Sequence, residues 1–229
     1  MGSKEKLFDD FWSWLQVHAN VKHDTILEIG VGNNGFTEFY AKKCQSYIGL
    51  DVDDYSQHYA DVRNAKIITY DGMHFPLGSE SFDLAVSHSV FEHITDVPAV
   101  LAEIWRVLRA SGLAYITIIP LYYSSWGSHG TLSDHVTRLD PWEHLNPNSP
   151  HYLTDCPPQL NNCGNKGCFL NKLTMSEFLG EVGKMPWSII RLARAYEKGL
   201  LPEFLNTSHF SETDLRNHDI RIILQKDHI

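Results

Sequence analysis

Residues 28–35 read Glu28-Ile29-Gly30-Val31-Gly32-Asn33-Asn34-Gly35. They end a short apolar run, Thr25-Ile26-Leu27-Glu28-Ile29, and open a stretch compatible with a helix near residues 35–43. An uninterrupted apolar run stopped by glycine predicts a buried parallel strand. Glycines at a strand-to-helix turn let the backbone come close to a ligand. The helix behind such a turn offers unpaired N–H groups at its positive end. A Gly-x-Gly-x-x-Gly string alone is a weak signal, and a turn rich in Gly and Asn is its bland reading. Between a strand and a helix it stands in the context that nucleotide-type ligands require.

The rest of the pattern grows outward from this turn. Tyr47 to Leu50 is a second strand ending at Asp51, with Val52 beside it, and Lys66 to Tyr70 is a third, ending in Asp71-Gly72-Met73. Phe82 to Ser87 is a fourth, and Leu113 to Ile119 is a fifth, closed by Pro120. Val97, Val100, Leu101, Ile104, Trp105 and Leu108 recur at helical spacing, so residues 96–109 predict a helix. Asp96 caps its start, Pro98 sits in its first turn and Gly112 lies past its end. Leu7, Phe8, Phe11, Trp12, Leu15 and His18 form one apolar stripe of a helix within residues 1–20. Thr174 and Glu177 form a capping box for a helix over 174–182. Ser188–Leu192 and Asp219–Leu224 are the last two strands. Strands alternating with helices predict an α/β, doubly wound, mostly parallel seven-stranded sheet with helices on both faces. The whole chain, 1–229, reads as one domain.

Composition narrows the function. A hydrophobic fraction of 43% supports a real core. The net charge of −9 and the lack of a basic patch argue against a nucleic-acid partner. No apolar run reaches the length of a membrane span, and no secretory signal pattern opens the chain. A cytoplasmic monomer or homodimer is expected, with no membrane partner. Cys156, Cys163 and Cys168 lack paired Cys-x-x-Cys spacing, so no metal is expected.

Up to Asp51 the pattern fits a dinucleotide as well as S-adenosylmethionine. Asp51 lies about twenty residues beyond the glycines, where an acid grips ribose hydroxyls. Glu28 favours the second ligand: a carboxylate there repels phosphates but suits an ammonium and a sulfonium. Then come Phe82-Asp83, Phe91-Glu92-His93, Glu103-Ile104-Trp105-Arg106-Val107-Leu108 and Ser111-Gly112. Together these segments resemble the class I S-adenosylmethionine-dependent methyltransferases, the Rossmann-like group with an FD…EH…E-hydrophobic-x-R-V-L core. The resemblance covers roughly residues 22–120. It implies S-adenosyl-L-methionine as cofactor, with Glu28, Gly30 and Gly32 under its methionine part. It implies Asp51 at the ribose, Val52 as a further cofactor contact, Asp71 near the adenine with Gly72 and Met73 giving backbone contacts, and Ser87 and His88 flanking. The family's third glycine falls at Asn34; here Gly35 follows one residue later.

Residues 120–172 are rich in Pro, Asn, Ser, Gly, His and aromatics. A segment this long without periodicity is usually functional. It leaves the carboxyl edge of the fifth strand, where open α/β sheets bind ligands. It reads as an insertion, or lid, over a small-molecule acceptor, with Trp126 and Trp142 as stacking candidates. Packing on the sheet is the alternative for both. The expected activity is O-methylation, with a sugar or surface-glycan precursor as acceptor. Histidine is the usual general base, and His93, His144 and His135 are the candidates in that order. His93 comes first because it is tied to a strand and a helix. Ser89 stands where metal-using relatives carry Glu, which argues against metal assistance. The rivals are a nucleotide-dependent oxidoreductase, disfavoured by Glu28, and a non-catalytic binding module of the same fold.

Overall fold

The computed structural model describes residues 3–33, 35–128, 140–153, 169–205 and 210–227. The chain order is α1 (Ser3–His18), β1 (Thr25–Ile29), α2 (Thr37–Ala41), β2 (Ser46–Asp51), β3 (Ala65–Thr69), β4 (Phe82–His88), α3 (Val97–Val107), β5 (Leu108–Ile118), α4 (Met175–Val182), β6 (Trp187–Tyr196), α5 (Glu212–Arg216) and β7 (Asn217–Lys226). The strands form one sheet in the order β3-β2-β1-β4-β5-β7-β6. The ladders from β3 to β5 are parallel. β7 runs antiparallel to both β5 and β6, so the sheet is mixed. Most of the sheet is parallel, as expected, and the antiparallel pairings are those of β7. Between β6 and β7 the described residues include only the five-residue α5. An apolar strand reads the same in either direction, and an antiparallel edge on an otherwise parallel sheet is common.

Side chains alternate across the strands and sort into two cores. Leu27, Ile29, Ala85, Ala114, Ile116 and Ile118 pack with α3 and α4. Ile26, Leu84, Val86, Leu113 and Tyr115 pack under α1 and α2. The α3 helix buries Val100, Leu101, Ile104 and Val107 completely. Each contributes about 1.5–3 kcal/mol of apolar burial. The Asp96 carboxylate accepts the Ala99 N–H at the start of α3. The helix stops at Val107, short of the expected 109, because Leu108 is extended and already begins β5. Gly112 accordingly lies within β5. The capping box at Thr174 and Glu177 is present.

Strand order places the chain's switch of direction between β1 and β4. In open α/β sheets the crevice outside the carboxyl ends at this switch is the ligand site. A third, smaller core joins Tyr122, Trp142, Leu145 and Leu170 to Leu205 and Leu215. It ties the described parts of residues 120–172 to the connection between β6 and β7.

Candidate functional site

The glycine turn leaves β1 at this crevice. Gly30 has φ +77° and Gly32 has φ +49°, both in the left-handed region. A Cβ on Gly30 would lie 2.2 Å from Cγ2 of Val90, on the loop after β4. The two loops therefore meet with no room for a side chain. The Gly32 N–H donates to Oδ2 of Asp51 at 2.9 Å, and the Asp53 N–H donates to Oδ1 at 3.1 Å. Asp51 is thus anchored at the end of β2, facing the turn.

Gly72, φ +88°, bends the chain after β3, and a Cβ there would sit 3.4 Å from Cγ1 of Val52. Val52 is 51% exposed and Met73 36% exposed. Two exposed apolar side chains flanking a glycine on the carboxyl edge form a surface suited to a planar ring. Asp71 accepts from the Met73 and His74 N–H groups and from His74 Nδ1. These bonds pull its carboxyl down to about 2 and raise His74.

Three expected cofactor contacts need correction. Glu28 does not face the crevice. It lies on the α1/α2 side of β1, 1% exposed. Its carboxylate accepts from the Phe36 N–H at 3.3 Å, the Thr37 hydroxyl at 3.4 Å and the Tyr47 hydroxyl. Burial pushes it up to about 7, partly offset by those bonds. Glu28 therefore braces the start of α2 from below the turn. Ser87 is also fully buried, and its hydroxyl donates to the Ile29 carbonyl at 3.2 Å, joining β4 to β1. His88 stacks on Phe11, with centroids 4.7 Å apart, and on Tyr40 at 5.8 Å. Its Nε2 meets the Tyr40 hydroxyl at 2.6 Å and its Nδ1 meets Thr117 Oγ1 at 3.1 Å. Burial, with help from the Arg221 charge, pushes His88 down to about 3. With both nitrogens engaged, His88 joins α1 and α2 to the sheet.

The histidine candidates separate clearly. His93 ends the single turn Phe91–His93 that follows β4. Its Nδ1 meets the Phe169 carbonyl at 2.8 Å. A carbonyl only accepts, so Nδ1 carries the proton and Nε2 is the basic nitrogen. Burial lowers its pKa, opposed by that bond. His144 is 1% exposed, meets the Tyr122 carbonyl through Nε2 at 2.7 Å, and is pushed down to about 4 by burial. A group so enclosed cannot touch an acceptor in this conformation, and its bonding is structural. Trp142 is similar: it is 9% exposed, and its indole N–H donates to the Leu215 carbonyl. Trp126 is half-buried. His135 and the three cysteines at 156, 163 and 168 lie outside the described residues. Among the described residues no group of three His, Cys, Asp or Glu is placed to hold a metal. No described helix is long and apolar enough to cross a membrane.

Residues 27–116, which run from within β1 almost to the end of β5, match the methyltransferase domain family. Residues 27–116 thus resemble a methyltransferase domain, and the chain shares the fold of S-adenosylmethionine-dependent methyltransferases. A malonyl-[acyl-carrier protein] O-methyltransferase of Hamiltonella defensa is 25% identical over 176 residues, covering 74% of this chain and 66% of that protein. An uncharacterized methyltransferase of Mycobacterium ulcerans is 30% identical over 121 residues, covering 51% of this chain and 47% of that one. The chain thus spans about half to two thirds of the length of these relatives. The S-adenosylmethionine dependent methyltransferase of Mesorhizobium loti shares the fold, with TM-score 0.59 and 17% identity over 93% of this chain and 96% of that one.

Sequence reasoning missed several residues that shape the domain's site. Tyr47 and Thr37 hold Glu28, Val90 closes on Gly30, and Asn171 binds the His93 turn. Only Val90 carried a local signal, as the residue opening Val90-Phe91-Glu92-His93.

Proposed function

We propose that the protein transfers the methyl group of S-adenosylmethionine to a hydroxyl of a small molecule. The observation that carries this reading is the left-handed turn at Gly30 and Gly32, with Asp51 anchored against it at the switch point of the sheet. The cofactor supplies an electrophilic methyl group on a sulfonium. The backbone of Gly30 and Gly32 lies under its methionine part, Asp51 holds the ribose hydroxyls, and Val52, Gly72 and Met73 receive the adenine. Asp71 already accepts three protein hydrogen bonds, which fix its carboxylate at the adenine rim.

A hydroxyl nucleophile needs an acceptor for its proton. His93 fills this role: its Nδ1 is committed to a carbonyl, and burial lowers its pKa. Phe169, 48% exposed beside it, offers an apolar wall. The described parts of residues 120–172, Trp126 among them, cover the acceptor. The name of the Hamiltonella defensa relative, an O-methyltransferase, supports oxygen as the acceptor atom. A sugar or surface-glycan precursor is the acceptor class to test first.

The experiment supplies methyl-labelled S-adenosylmethionine with a panel of glycan precursors and locates the label by mass spectrometry. Label on oxygen is expected. His93→Ala should lower turnover by about 10²–10⁴-fold with unchanged cofactor affinity. Label on nitrogen or carbon would overturn the O-methyl assignment, and full activity in His93→Ala would remove the base.

A further inference from the structure

We propose that Asn171 is a positioning residue that sets the imidazole of His93, by latching the end of the insertion onto the turn between β4 and α3. The inference rests on the reading of His93 as base.

The turn Phe91–His93 is a single 3-10 turn, too short to hold a ring in place by itself. Asn171 binds it at three carbonyls. Its backbone N–H donates to the Glu92 carbonyl at 2.9 Å. Its side-chain Nδ2 donates to the Phe91 carbonyl at 2.7 Å and to the Ile94 carbonyl at 2.8 Å. Its Oδ1 accepts the Leu173 N–H at 3.0 Å, which fixes the side chain against its own strand of chain. Both amide hydrogens and the amide oxygen are therefore in use, a set only asparagine supplies at this length.

Two residues earlier, the Phe169 carbonyl receives His93 Nδ1–H. The same short segment thus grips the turn's backbone through Asn171 and the ring through Phe169. Any slide of residues 169–171 along the turn would break both contacts together. On the other side, Glu92 is buried within the turn, and burial pushes its carboxyl up to about 8. Val90, one residue before the turn, abuts Gly30. The latch therefore joins residues 169–171, the base and the glycine turn in one run of contacts. Rigid support of this kind is what holds a catalytic group within the tolerance that proton transfer demands.

The test uses the full chain labelled with 15N at histidine, with His93 assigned from the spectrum of His93→Gln. Wild type should show His93 as the Nδ1–H tautomer. Asn171→Asp is nearly isosteric but replaces the two donors by an oxygen facing two carbonyls. It should shift the His93 nitrogens toward a mixture of tautomers. Turnover at saturating substrate should fall about tenfold, with S-adenosylmethionine affinity within about twofold of wild type. Asn171→Ser, with one donor, should lie between, and serves if the aspartate variant does not fold. Unchanged His93 nitrogen signals in a folded variant would overturn the latch, whatever the turnover. A His93 ring that follows Asn171 while His93→Ala keeps full activity would instead sustain the latch and refute the base.

Discussion

Gly30→Ala probes the approach of the glycine turn to the loop after β4. Two costs can be worked from the structure. Alanine at φ +77° pays about 1–2 kcal/mol for the left-handed backbone. The new Cβ would also stand 2.2 Å from Cγ2, 2.8 Å from Cγ1 and 3.1 Å from Cβ of Val90. Val90 is β-branched and has little rotamer freedom to yield, so overpacking adds about 1–3 kcal/mol. The sum is about 2–5 kcal/mol of lost stability, read by urea unfolding. The two parts can be separated. Val90→Ala removes both Cγ atoms and leaves only the 3.1 Å contact. The double variant should therefore recover the steric share, a coupling of about 1–3 kcal/mol, and keep the backbone share. If the double variant shows no coupling, the two loops do not meet as described and the crevice is built differently.

Glu28→Gln should remove a pH dependence. The folded carboxyl titrates near 7 rather than 4.5. Between those values the folded state holds more protons than the unfolded one, so wild-type stability falls as pH rises, by up to about 3 kcal/mol from this group. The difference between wild type and Glu28→Gln across that window isolates it, and a flat difference would contradict the burial argument. His144 has the opposite sign. Its pKa is lowered to about 4, so stability rises with pH between about 4 and the unfolded value near 6.5. His144→Ala should cost about 2–3 kcal/mol through the lost packing and the unpaired Tyr122 carbonyl, and should leave the pH–rate profile unchanged. A displaced profile would return His144 to the chemistry.

Most of the fold was legible because it rests on local signals. The apolar runs at Thr25–Ile29 and Phe82–Ser87, the spacing over 97–108 and the caps at Asp96 and Thr174 each carry their own meaning. The direction of β7 was not, since an apolar run looks the same parallel or antiparallel. At the site, glycines and strand-end acids were legible because backbone geometry demands them there. The polar residues misread were those whose role depends on the face they occupy. Glu28 turns toward Tyr47, nineteen positions away in the chain, and Ser87 toward Ile29. His144 and Trp142 are rich in chemistry by type, but a core formed with Leu205 and Leu215 encloses them. Asn171 left no signal at all, because its partners Phe91 and Ile94 lie far back in the chain.

The central claim is that the glycine turn and Asp51 form an S-adenosylmethionine site. Titration calorimetry on the full chain tests it directly, with S-adenosylmethionine and NAD as separate ligands, on wild type and Asp51→Ala. The account predicts one S-adenosylmethionine site per chain, weakened in Asp51→Ala by about 1–3 kcal/mol as ribose hydroxyls lose their acceptor, and weak or no NAD binding. Unchanged affinity in Asp51→Ala, or NAD bound more tightly than S-adenosylmethionine, would contradict it.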